Sequence, residues 1–283
     1  MTPTSEVQRR IGEAVRAKVA GADAETARSR IWDSPGPRWF TPDDPIWRVH
    51  SDAAMFPAGI TALLLQSLHP AAMAGVAGHS GYRGDPWGRL QRTSHYLATT
   101  TFGTIEHAQE AIATVRSVHE RVRGKDEDGR AYRASDPHLL RWVHIAEAWS
   151  FLAGHQRYGA DPLTAREADT YVAQSATSAA ALGATDLPMD VAALEAALTG
   201  ARAELYTTPA ARDAATFLLR EPPLPRAARP GYRLLTLVAV DLLPSWAREE
   251  LALPSPRGAG TAGSVGTRLV RWGLAGVDAR GPQ

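Results

Sequence analysis

A histidine stands where a hydrocarbon side chain belongs. Between Thr104 and Gly124 the apolar residues Ile105, Ala108, Ile112, Val115 and Val122 recur at the spacing of a buried helical face, and His119 takes the place that leucine or valine would fill. An imidazole on such a stripe has two uses. It is a core histidine hydrogen-bonded to a neighbour, or, in its neutral form, a ligand to a metal or a haem iron. The preceding segment bears on that choice. Arg89, Arg92, Thr93 and Tyr96 fall at i, i+3, i+4 and i+7, so two guanidinium groups and two hydroxyls share one face. A polar face between helices costs free energy unless it lines a cavity or binds an anion. Taken alone, Arg-x-x-Arg-Thr also suits a solvated face.

The elements that must hold these residues are marked by local signals. Asp85-Pro86 supplies an N-cap and a proline at the first helical position, and Gly103 supplies a stop, which predicts a helix over 86–102. The next helix starts near Thr104 or Ile105 and ends before Gly124. Asp136-Pro137 repeats the device and starts a third helix to about Leu152, with Leu140, His144, Glu147 and Phe151 on one face. His144 is therefore a second candidate for a buried working imidazole, with a hydrogen-bonded core role as the alternative. Upstream, an apolar helix over 57–68 is stopped by His69-Pro70, and Ala71 to Gly78 is almost entirely small residues. That composition permits close approach by a neighbouring helix or by a flat cofactor. Residues 4–30 read as one exposed helix, Ser34 to Pro45 as a proline-rich linker, and Lys125 to Arg130 as a charged turn. Further helical patterns lie at 164–182, 190–205, 209–219 and 232–243. Strand alternation is nearly absent, so the expected class is all-α with eight to eleven helices.

Successive motifs also resemble a known family. Leu68-His69-Pro70, Ala74-Gly75-Val76, His79-Ser80-x-Tyr82, Asp85-Pro86, Arg89-Leu90-x-Arg92-Thr93, Val118-His119-x-x-Val122-x-Gly124, Tyr132-x-Ala134-x-Asp136-Pro137 and Trp142-Val143-His144 look like the ordered motifs of the MpaB/rubber-oxygenase (latex-clearing-protein-like) catalytic domain. The resemblance is fainter near Leu242-Leu243-Pro244-x-Trp246. It implies a single helical domain with a globin-like core that binds haem b, with His119 as the proximal iron ligand and Arg89 and Thr93 on the distal side. Arg116, Arg123 and His144 are expected to contact the cofactor. Where rubber oxygenases carry a lysine that can ligate the iron, this chain has Arg92. Arginine stays protonated and offers no lone pair, so Arg92 is expected to act as a fixed charge in the site rather than a ligand. The implied activity is that of a haem oxygenase or oxidase acting on an apolar or aromatic small molecule and dioxygen. A haem-binding sensor or carrier without turnover, and a cofactor-free helical homologue, are the alternatives.

Composition bounds the rest. The 283 residues are 44% hydrophobic and 22% charged with a net charge of +1, which gives no electrostatic preference for nucleic acid. The absence of cysteine excludes thiolate ligation, iron–sulfur clusters and disulfides. No run approaches the length of a membrane span, and Met1 to Arg30 lacks the apolar core of a secretory signal, so a cytoplasmic location is expected. The expected organisation is an N-terminal helix and linker over 1–45, the oxygenase-like domain over 46–253, and a flexible linker with a short helix over 254–283. Gly258-x-Gly260-x-x-Gly263 fits a dinucleotide fingerprint by letter, but it follows Pro254-Ser255-Pro256 rather than a strand and is read as linker. No glutamate precedes any histidine by three residues, which excludes the paired Glu-x-x-His of di-iron bundles.

Overall fold

Prolines and short polar side chains set where most helices begin. The computed structural model describes residues 24–79, 83–256 and 259–275, so the part of the expected N-terminal helix before residue 24 lies outside the described residues. Four helices lead into the molecule: α1 (Ala24–Trp32), α2 (Pro45–Ser51), α3 (Met55–Ser67) and α4 (Pro70–His79). Then come α5 (Pro86–Phe102) and α6 (Ile105–Arg121), the two that carry the candidate site. After a hairpin the chain continues as α7 (Pro137–Tyr158), α8 (Ala165–Leu182), α9 (Val191–Ala201), α10 (Pro209–Arg220), α11 (Arg229–Leu242), α12 (Ser245–Glu250) and α13 (Ala259–Ala275). The class is all-α as expected, with thirteen α-helices among the described residues against the eight to eleven foreseen.

The core forms where α3 lies against α7. Ala58, Leu64, Leu65 and Leu68 of the first meet Trp142, Ile145, Ala146 and Phe151 of the second, joined by Tyr171 and Val172 from α8 and Leu194 from α9. The two backbones come close because Gly154 has no side chain: a Cβ there would stand 2.7 Å from the Cβ of Ala58. That contact carries α7 on to Tyr158, beyond the expected end at Leu152. α11 crosses α3, and the Thr61 hydroxyl lies within hydrogen-bonding distance of Pro57 O (3.1 Å) and Ala239 O (3.0 Å). No single described helix is long and apolar enough to cross a membrane; α3 and α4 together match one in composition but are bent by 107° at their junction.

The charged turn expected over Lys125 to Arg130 is present, and it joins two strands that were not foreseen, β1 (Arg123–Lys125) and β2 (Ala131–Arg133), in an antiparallel hairpin. Asp126 organises it by accepting from the backbone nitrogens of Asp128 (3.1 Å) and Arg130 (2.8 Å), and Gly129 takes the left-handed conformation at φ +79°. The segment read as flexible linker becomes helix α13 from Ala259 onward. Tertiary packing overrides its glycine content: Gly266 allows close approach to Leu234 of α11, and Arg271 donates to Asp52 Oδ1 (2.9 Å) and to Tyr158 O (3.0 Å).

Candidate functional site

The helices α5 and α6 begin as the sequence dictates. Asp85 caps α5 by accepting from Gly88 N at 2.9 Å, and Thr104 caps α6 by accepting from His107 N at 3.3 Å. The corner between them is anchored. Phe102 stacks on Trp32 at 5.0 Å and meets Trp47 edge-on at 4.9 Å, and Ile105 N donates to Pro37 O at 2.8 Å. The Arg38 guanidinium donates to the carbonyls of Ile31, Trp32, Ser34 and Phe102, so one side chain closes the ends of two helices.

Away from that corner the packing stops. The buried residues of α5 are Thr99 to Phe102, and those of α6 are Ala108 and Ile112. Trp87, Leu97, Val115, His119 and Val122 are only half-buried, and Leu90 and Val118 are 38% and 44% exposed. The apolar stripe foreseen for α6 is thus covered over its first half and open over its second, where His119 sits. Counting from Gly103, Arg89 and His119 each lie about four turns along their arms. α4 lies between two neighbours: Met73 and Val76 meet Ala210, Ala211 and Ala214 of α10, and the ring of Tyr132 on β2 comes within 3.5 Å of where a Cβ of Gly75 would be.

His119 keeps Nδ1 buried without a hydrogen-bond partner, and desolvation lowers its pKa, so the ring is neutral near pH 7. Arg89, one of the residues placed on the distal side, is half-buried. Arg92 and Thr93 are exposed, and Arg92 pairs with Asp85 Oδ2 at 3.1 Å. The shared polar face expected of Arg89, Arg92, Thr93 and Tyr96 is therefore not enclosed along its length. Arg116 donates to the carbonyl of Ala181 at the end of α8, and Arg123 is exposed on β1. His144 is buried on α7 with Nε2 unpartnered, and burial pushes its pKa down to about 4.

A second set of groups lies deeper, and sequence reasoning attached no chemistry to it. Glu147, on the same face of α7 as His144, is desolvated enough to raise its carboxyl to about 7. Tyr96 of α5, hydrogen-bonded to Ser178, and Tyr171 of α8 both have raised pKa values, chiefly from burial and also from the nearby Glu147 charge. His50 bonds Thr101 Oγ1 at 2.8 Å and packs edge-on against Phe151 (5.5 Å), and burial drives its pKa down to about 3. Glu147 appears in the sequence only as a polar residue sharing a helix face with Leu140, His144 and Phe151. His50 carries no local signal at all, because its neighbours Thr101, Phe151 and Tyr171 come from three distant helices.

The arrangement offers a neutral imidazole with an unpartnered nitrogen, apolar walls left open on both arms, one half-buried cation on the facing arm, and a titratable acid behind. Two open surface grooves, one lined by Arg202, Leu205, Trp246, Glu249 and Glu250 and the other by residues including Trp149 and Glu195, draw nothing from α5 or α6. The family model described as ER-bound oxygenase mpaB/B'/rubber oxygenase, catalytic domain, matches residues 47–272. No curated protein and no solved structure matches the chain significantly. The family match takes in every helix from the end of α2 to most of α13, including His119 and its surroundings, and the chain belongs to this oxygenase family.

Proposed function

We propose that the protein is a haem b-dependent oxygenase acting on an apolar small molecule, with His119 as the iron ligand. The observation that carries this reading is the unpartnered, desolvated imidazole on the half-covered outer part of α6, beside Val115, Val118 and Val122. A buried polar nitrogen without a partner is costly in a finished core, and a ring held neutral has the lone pair that iron requires. The exposed Leu90 and Val118 fit the same group, because a haem plane seated between the arms would cover apolar surface that is otherwise wet. The donor set therefore fits haem. When bound, haem supplies the redox chemistry with dioxygen, while the protein supplies the ligand, polarity and substrate shape.

This chain's own groups have separable tasks. His119 holds the cofactor. Arg89 presents a cation from the other arm, where it orients a developing negative charge. Arg92 cannot ligate, and its pairing with Asp85 makes it a helix-end residue more than a site residue. Glu147, poised near neutral pH, holds or releases a proton beside Tyr96 and Tyr171. The globin-like arrangement implied by the family resemblance is part of the same proposal.

The test is spectroscopic before it is kinetic. The purified chain should carry haem with a Soret band. His119→Ala should lose the haem or shift that band, while His144→Ala should leave haem content largely intact. Arg89→Ala should keep its haem and lose roughly 10²–10³-fold in turnover, the scale of a removed electrostatic donor. Full haem occupancy with an unchanged spectrum in His119→Ala would overturn the assignment.

A further inference from the structure

Leu68-His69-Pro70 is a motif that the oxygenase reading does not use. His69 sits at the corner between α3 and α4, where its carbonyl accepts the first hydrogen bond of α4 from Met73 N at 2.9 Å. Its side chain is nine-tenths buried, yet neither ring nitrogen has a hydrogen-bond partner. Buried polar atoms are almost always paired, so two orphaned nitrogens on one ring require an explanation. Nε2 faces Glu204 Oε2 at 3.6 Å, too far for a hydrogen bond, and His138 Nε2 lies 2.7 Å from the same oxygen. One ligand atom from each of the three residues can be chosen so that all lie within 4.8 Å of one another.

From this cluster we infer a divalent-metal site of the zinc type, formed by His69, His138 and Glu204 and separate from the haem site. Two imidazoles and one carboxylate are a donor set that zinc takes, with a fourth position left to water. Bonds of about 2.1 Å in a tetrahedral arrangement put ligand atoms about 3.4 Å apart. The His69–Glu204 separation is already close to that. The His138–Glu204 contact must open slightly, which two half-exposed side chains can do without disturbing the core. Burial lowers the pKa of His69, outweighing the opposing pull of Glu204, so the ring stands ready as a neutral donor.

The framework around the cluster is already fixed. His138 is the second residue of α7, its backbone nitrogen bonded to Asp136 Oδ1 at 2.9 Å. Glu204 ends the short 3₁₀ turn Arg202–Glu204, and two residues later Tyr206 N donates to Leu68 O at 2.9 Å. A bound ion would staple three segments that are distant in sequence: the α3–α4 corner, the start of α7 and the turn after α9. Its rim is open, since His138 and Glu204 are 54% and 49% exposed at their side chains, so an ion can enter and leave without unfolding.

The experiment uses the full chain without a polyhistidine tag, in whatever haem state it is purified. Equilibrium dialysis against micromolar zinc, with zinc and iron counted separately by elemental analysis, reads this site independently of the haem proposal. We expect about one zinc per chain, and a Tm that rises with zinc. His138→Ala and Glu204→Gln, both at half-exposed positions that leave the core intact, should weaken binding by more than the roughly 10–100-fold typical of losing an outer-sphere partner. His119→Ala should leave zinc binding unchanged while its haem content falls. No saturable zinc at 100 μM free metal (about the weakest affinity consistent with a formed site), or undiminished binding in both His138→Ala and Glu204→Gln, would overturn the site.

Discussion

Between α3 and α7, at Gly154, there is no room for a methyl group; on the outer halves of α5 and α6 apolar side chains stay half-buried or exposed. The first interface is settled by shape, with Gly154 against Ala58 and Leu64, Leu65 and Leu68 fully enclosed. The second also carries apolar residues, but Leu90 and Val118 are exposed and Val115 and Val122 are only half-buried. Capping does not separate them, since α5, α6 and α7 each begin with a side-chain cap while α3, which has none, is packed all the same. Packing does. An apolar face only partly covered beyond Ile112, carrying a desolvated imidazole, is the feature on which the haem proposal rests.

The contrast can be broken most sharply in the core. Leu65→Ala leaves a cavity between α3 and α7 and should cost about 2–5 kcal/mol in denaturant unfolding, whereas Val118→Ala on the open arm should stay within about 0.5 kcal/mol in the haem-free protein. Equal costs would erase the distinction between the two regions.

Glu147 tests the boundary between them. Its carboxyl is raised from 4.5 to about 7, so the folded protein binds a proton that the unfolded chain releases. Stability from this group is fully present below pH 4.5 and is lost as pH rises through 7. Glu147→Gln should therefore be more stable than the wild type at pH 8 by up to about 3 kcal/mol, with the difference vanishing near pH 4. A difference that does not change between those two pH values would mean that Tyr96 and Tyr171 do not surround a desolvated acid. The smallest effect belongs to the cap: Asp85→Ala should cost about 1 kcal/mol. Because the outer half of α5 is not tied to the core, that loss should appear as faster amide exchange over 86–96 rather than as a lower global midpoint.

Much of this was legible in the sequence where a residue acts on its immediate neighbours. Asp85-Pro86 and Asp136-Pro137 mark the starts of α5 and α7 because caps and prolines work within one turn. The end of α7 was not legible, since what holds it past Gly154 is Ala58, almost a hundred residues away. The β1–β2 hairpin carries no alternation to read, its strands being three residues each with Tyr132 alone buried. α13 was hidden by its glycines, whose cost is met by α11 and by Arg271 reaching Asp52. In the site, the spacing singled out His119 from its place on a stripe. The same spacing grouped Arg92 and Thr93 with Arg89, although a face of equal helical phase can be half open. His50 and the orphaned ring of His69 needed coordinates, because their surroundings are assembled from segments that no local window contains.

The Arg38 anchor has a mechanical consequence. It fixes one end of a two-armed hairpin, while beyond Ile112 on one arm and before Thr99 on the other the ties are to α8, through Arg116 to Ala181 O and Tyr96 to Ser178. Each arm is 17 residues, about 25 Å of rise from the corner to the tip. On a lever of that length a tilt of about 5° at the corner moves the tip by about 2 Å. The pivot lies beside Phe102, so a small change at that corner is magnified along the arms to the turns that carry Arg89 and His119, about four turns away.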